Sequence, residues 1–287
     1  MTTAQPIAKA SGESLSVLGT ILQGYRAAAR QAGSILILAI VWTAVAAGTG
    51  YLAEELTHSR SDLWAHYSLG AAIRNEAVEI PEYAELLLAA SLIEIAIYRA
   101  IILADVPRWN AVWRIGRREM RYFALTILFW VPIHVGRRAF VIAVNLGAAP
   151  ILVQHTIAAI AVPVLQAISI SMIAHLLDSI ALIPFFGLAF PLVAIGAPGG
   201  ALRQSMRLSR THRTRLATIG FLYGLPLIPL VYAPYLAGPI TGALPILQST
   251  AATFLSLLAS ALEAAVFAVA FQRVTAHLHK GTYDVFD

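Results

Sequence analysis

Residues 32–52, AGSILILAIVWTAVAAGTGYL, carry no charge from end to end. A run of this length matches the about 20 residues an α-helix needs to cross ~30 Å of hydrocarbon. Inside that medium the backbone must satisfy its own hydrogen bonds, so the run folds as a helix or it does not cross at all. Similar runs recur, predicting further spans over 84–104, 122–146, 173–197, 216–236 and 251–271. The expected fold is an all-α integral membrane protein of about six transmembrane helices, with amphipathic interfacial helices beside them. Composition agrees, because the chain is 59% hydrophobic and 12% charged with a mean hydropathy of +0.74, against about 45–50% and ~25% in soluble domains. The expected organisation is a cytoplasmic amphipathic segment (1–31), one polytopic membrane domain (32–272) and a cytoplasmic tail (273–287). The start, MTTAQPIAKASGES, lacks the charged and apolar regions of a signal peptide, so the first span is expected to stay as an anchor.

Charge assigns the sides. Of the 20 Lys and Arg residues, all but Arg60, Arg74, Arg137 and Arg138 fall in segments that one alternating topology places together. By the positive-inside rule these segments face the cytoplasm, in a bacterial inner membrane, with both termini inside. The net charge of +5 is therefore a sidedness signal and not a nucleic-acid patch. The segment AEELTHSRSDLWAHYSLGAAIRNEAVEIPEYAE, rich in Glu, reads as an acidic loop on the outer side. Residues 123–196 are apolar but interrupted by Arg137, Arg138, Pro150, Pro163, His175 and Asp178. An even number of crossings must lie there: two, with Arg137 and Arg138 snorkelling outside and 148–172 interfacial or re-entrant, or four, which raises the total to about eight.

Two arginine-rich stretches stand out. Arg114, Arg117, Arg118 and Arg121 fall at i, i+3, i+4 and i+7, with Trp109, Trp113, Gly116 and Met120 on another stripe, which predicts a helix on the cytoplasmic surface. Arg203, Arg207 and Arg210 follow GAPGG, where Pro198, Gly199 and Gly200 make a plain turn or an anion-binding nest. Both sets are candidate contacts for anionic lipid headgroups, worth about 1 kcal/mol per basic residue, although fixing topology alone accounts for them. Trp113 to Arg117 also align with Met206 to Arg210, an expected parallel repeat of two hairpins. Before Arg26 and Arg30, Leu15, Leu18, Leu22 and Tyr25 recur at helical spacing and predict an amphipathic helix lying on the membrane surface.

Glu94 and Glu263 are the intramembrane ionisable candidates, each expected near the middle of its span. A carboxylate there costs about 2.5–3.5 kcal/mol on insertion scales and normally faces a partner or a cavity. One reading makes them a proton or cation relay; the plainer one makes them neutral acids hydrogen-bonded to Ser91, Gln166 or similar partners. Arg99 lies too far round the helix to pair with Glu94. The run GFLYGLPLIPLVYAPYLAGP holds Pro226, Pro229 and Pro234, so its hydrogen-bond ladder must break or kink. Cysteine is absent, and no HExxH, GxSxG or dinucleotide fingerprint occurs, so no catalytic residue, metal site or cofactor is expected. HLH at 277–279 reads as a solvated tail.

The blocks IAIYRAIILADVPRWNAVWRIGRREMRYF and LAFPLVAIGAPGGALRQSMRLSRTHRTRL resemble those of uncharacterised alphaproteobacterial polytopic inner-membrane proteins. Those are distantly similar to the membrane domain of glycerophosphodiester phosphodiesterases. The resemblance rests on Arg99, Asp105 and Pro107 in the first block and Pro191, Ser205, Arg207 and Arg210 in the second, with Tyr98 replacing a family His and His212 a family Gly. It implies a multi-helix inner-membrane fold and, without a catalytic domain, no hydrolase activity. The expected role is a non-catalytic accessory, scaffold or lipid-contacting component in contact with the bilayer, its anionic phospholipids and a larger membrane complex or further copies of itself, with no nucleic-acid partner. The alternative is a small permease or a proton- or ion-coupled transporter.

Overall fold

The computed structural model describes residues 15–57, 69–105, 115–129, 131–132, 158–197, 200–241 and 245–276. Among them every regular element is helical. They are α1 (Val17–Arg30), α2 (Ala32–Thr57), α3 (Leu69–Ile102), α4 (117–129), α5 (Ala158–Ala181), α6 (Ile183–Phe186), α7 (Ala189–Ala194), α8 (Ala201–Ser209), α9 (Arg213–Gly224), α10 (Leu227–Thr241) and α11 (Pro245–Thr275). Among the described residues three stretches are long and apolar enough to cross a membrane: Ala32–Thr49, Arg213–Pro234 and Leu247–Thr275. Ser171–Ala181 with Ile183–Ala194, bent by 42°, makes a fourth if the pair is one span. Several long apolar helices suggest a multi-pass membrane protein.

α11 is the hub, packed by α1, α2, α3 and α10. Ala261, Ala264, Ala265, Ala268 and Ala270 are fully buried on it. Such small residues let backbones approach, which matters in lipid because apolar bulk gains nothing by leaving an equally apolar solvent. The large aliphatics accordingly point outward: Leu36, Ile37 and Ile40 on α2 and Ile173, Leu176, Leu177 and Ile180 on α5 are exposed. In water these stripes would be aggregation patches; in a bilayer they are the lipid-facing surface.

α1 is amphipathic as expected, and its packed face is the small-residue one. Leu18 and Leu22 are exposed, and the packed face is Thr20, Ile21, Gly24 and Ala28. Arg273 donates to Thr20 Oγ1 (3.0 Å), and a Cβ on Gly24 would lie 2.6 Å from Val266 Cα, so α1 runs antiparallel to α11 and rises along it. It is packed along α11. Its small-residue face meets α11, its leucines take the lipid side, and Arg26 and Arg30 remain exposed.

Breakers decide the departures from expectation. The span expected over 173–197 is a bent pair, and α5 runs unbroken back to Ala158 through part of the expected re-entrant segment, because nothing at 172–173 interrupts it. The bend comes where Leu182, Pro184 and Gly187 interrupt the ladder. α7 then ends in a Schellman turn: Ala197 N–H donates to Leu192 C=O (2.9 Å), Gly196 N–H to Val193 C=O (3.0 Å), and Gly196 takes φ +80°. Much of the expected acidic loop is helix, since α2 continues to Thr57 and α3 begins at Leu69. Glu76, Glu79 and Glu82 are good helix formers at helical spacing. The expected repeat does not hold in register: Ile115 and Gly116 are non-helical, whereas the aligned Leu208 and Ser209 belong to α8.

The proline-rich helix breaks as predicted, between α9 and α10 at Leu225 and Pro226. Carbonyls beside the break take side-chain donors. Tyr25 Oη donates to Tyr223 C=O (3.1 Å), and His175 Nε2 lies 3.2 Å from Phe221 C=O. This is how a membrane helix tolerates a proline: neighbours satisfy the backbone groups that the helix cannot.

Candidate functional site

Glu94 and Tyr98 are four residues apart on α3, and Ser260 and Glu263 three apart on α11, so each pair shares a helix face. The α3–α11 contact turns the two faces together. Glu94 accepts a hydrogen bond from Tyr122 Oη of α4 at 2.6 Å and another from Ser260, and it feels the charge of Glu263. Glu263 accepts from the hydroxyl of Tyr223 on α9. Tyr98 lies beside Tyr122 with ring centroids 6.3 Å apart. Tyr122 packs in turn on Phe190 of α7 at 5.5 Å, and Tyr223 on Phe267 at 5.7 Å. The three tyrosines are buried, while both glutamates are half-buried and keep some accessible surface.

The structure thus brings together the two glutamates that the sequence singled out separately. Their partners differ from those expected. Ser91 donates to Thr126 Oγ1 (3.2 Å) instead, because it lies three residues before Glu94 and faces α4, and the side chain of Gln166 lies outside the described residues. Arg99 pairs with Asp105, with Nε to Oδ2 at 2.9 Å, which gives the Arg-then-acid pattern of the first block a local role at the end of α3. Glu263 falls near the middle of the apolar stretch Leu247–Thr275, in line with the mid-span expectation. Tyr122 follows the exposed Arg121, and Tyr25, bonded at the level of Tyr223, precedes the exposed Arg26. Arginines therefore flank the cluster in sequence on α1 and α4.

The surface arginines divide. On α8 Ser205 and Ser209 are buried, Ser205 Oγ donating to Phe185 C=O (2.9 Å), which leaves Arg203, Arg207 and Arg210 exposed on the other side. Gly200 precedes α8 at φ +76°, a left-handed conformation that favours glycine; Pro198 and Gly199 lie outside the described residues. Arg117 and Arg121 are exposed on α4, whereas Arg118 is tied to Glu119. Arg114, Trp109, Trp113, His134, Arg137, Arg138 and the HLH of the tail also lie outside the described residues. Gly116 N–H donates to Glu119 Oε2 (3.0 Å), half of a capping box that starts α4. Burial alone would raise the Glu119 carboxyl, but the hydrogen bonds from Arg118 and the backbone outweigh it and hold the group below its ordinary range.

Tyr122, Tyr223 and Ser260 were not among the residues the sequence marked, and Tyr98 was marked only as a departure from the resembled family. The signal for Tyr98 and Ser260 was their helical spacing from a glutamate; for Tyr122 and Tyr223 no local signal exists, because they arrive from other helices. Among the described residues no group of three or more His, Cys, Asp or Glu is placed to hold a metal ion. Comparisons with protein-family models, curated proteins and solved structures find no match.

Proposed function

We propose that the protein is a small proton-coupled permease of the bacterial inner membrane, multi-pass, with both termini cytoplasmic. The observation that carries this reading is the pairing of Glu94 with Glu263 beside two interrupted helices, α9–α10 and α5–α6. Two carboxylates sharing one poorly solvated site do not readily ionise together, so such a pair is a place where a proton is gained and lost. The groups around it favour a proton over a metal. Tyr122, Tyr223 and Ser260 direct O–H donors at the carboxylate oxygens, which stabilises a shared negative charge without a bound cation. Interrupted helices next to a titratable site are the usual means by which a carrier couples ion loading to rearrangement. The charge asymmetry between loops supports the assigned sidedness.

The test is reconstitution of the full chain in vesicles loaded with a pH-sensitive dye, challenged under a pH gradient with a panel of small solutes. The native protein should give solute-dependent proton movement that the Glu94→Gln, Glu263→Gln double variant lacks. An unchanged dye response in the double variant would sink the carrier reading. Recovery of a stoichiometric membrane partner after gentle detergent extraction, with no proton movement in either protein, would return the accessory or scaffold role.

A further inference from the structure

Building on the reading of Glu94 and Glu263 as a proton-binding pair, we propose that Asp178 and His175 of α5 form a second proton station, which loads the pair from the arginine-bearing end of the bundle. The two lie three residues apart and share a helix face. His175 Nε2 is 3.2 Å from Phe221 C=O. A carbonyl can only accept, so Nε2 carries the imidazole proton and Nδ1 is left as the acceptor. The ring reaches that carbonyl only because α9 has glycine at the contact: a Cβ on Gly224 would lie 2.1 Å from Nε2.

The station adjoins the pair through α9. The edge of Tyr223 meets the His175 ring at 5.6 Å and 83°, and the Tyr223 hydroxyl bonds Glu263. Asp178 lies within electrostatic reach of both His175 and Glu263. Facing these two residues, the titratable groups described are Tyr223 from α9, Glu263 from α11, and Tyr232 from α10, whose hydroxyl lies 2.8 Å from Ser171 Oγ two turns before Asp178. Direction follows from the packing. Gly224 faces His175 and Gly220 faces Ile183, so α5–α6 and α9 run antiparallel and Asp178 lies on the arginine side of His175. Both residues are half-buried.

The step conserves atoms and charge. A proton bound at the Asp178 carboxylate, held in transit at His175 Nδ1, passes to the Glu263 carboxylate; Asp178 returns to its anion and His175 to the neutral ring. No bond between heavy atoms changes.

Infrared pH jumps on the full-length protein in lipid nanodiscs test this. The carboxylic-acid band lost in the Glu94→Gln, Glu263→Gln variant identifies the pair. Asp178→Asn should fill that band at least roughly tenfold more slowly, with the same final amplitude, since a positioned proton donor is worth 10² or more. Asp178→Glu should restore the rate. Filling at the native rate in Asp178→Asn overturns the station while leaving the pair intact. Absence of any band lost in the double glutamine variant overturns the pair itself, and the station with it. Should Asp178→Asn not fold, the same rate in His175→Gln decides, a slowed rate supporting the station and a native rate overturning it.

Discussion

Glu119 shows how one residue near a helix start ties local geometry to pH. It is nearly buried, accepts from Gly116 N–H and pairs with Arg118, so its folded state prefers the carboxylate more than the unfolded chain does. A lowered folded value means that its contribution is fully present above the ordinary value of 4.5 and is lost as pH falls through the lower folded value. Glu119→Gln should therefore flatten the acid limb of a detergent-solubilised stability curve and leave a constant deficit at neutral pH, read as the thermal midpoint against pH. An acid limb identical to the native one would show that Glu119 does not contribute to it. Its role was open to discovery from sequence, since glycine followed three residues later by glutamate is a helix-start pattern. The partners of Glu94 were not, since Tyr122 lies on another helix and nothing within either segment records which helices meet.

Glycines set the approach of whole elements. A Cβ on Gly24 would meet Val266 Cα at 2.6 Å, and backbone cannot swing aside as a flexible side chain can. Gly24→Ala should thus part α1 from α11 at a cost of about 1–3 kcal/mol. Gly33→Ala, with nothing within 4 Å, should be neutral or stabilise by up to about 1 kcal/mol through helix propensity. Thermal unfolding of both variants in one detergent checks the pair, and equal midpoints would refute the close crossing. α1 also shows which face periodicity leaves unread, the one that packs on the protein. Leu18 and Leu22 are its most conspicuous apolar residues, but in lipid they gain nothing from a protein neighbour, whereas Thr20, Gly24 and Ala28 gain close contact. The break at Pro226 was legible because proline dictated it; the span expected over 173–197 meets the bent pair over 171–194, while the helical continuation back to Ala158 left no breaker to read near residue 172.

The ends of the bundle gather by contact as well as by charge. Gln272 Nε2 donates to Ile101 C=O (2.8 Å) and Arg273 Nη1 to Ser16 C=O (3.3 Å), so the ends of α3 and α11 meet the start of α1. If that end is cytoplasmic, a membrane-impermeant thiol reagent added outside intact cells should label Arg74→Cys and spare Arg210→Cys, in a chain with no native cysteine to interfere. Labelling in the reverse order would invert the topology. By itself the sequence determined that several long apolar helices form and that arginines gather at their ends, because span length and charge act on each segment separately. Only the tertiary structure decided that Glu94 and Glu263 share a site walled by Tyr98, Tyr122 and Tyr223. Helix partners in lipid are chosen by the fit of small residues and by buried hydrogen bonds, and neither leaves a periodic trace in any one helix.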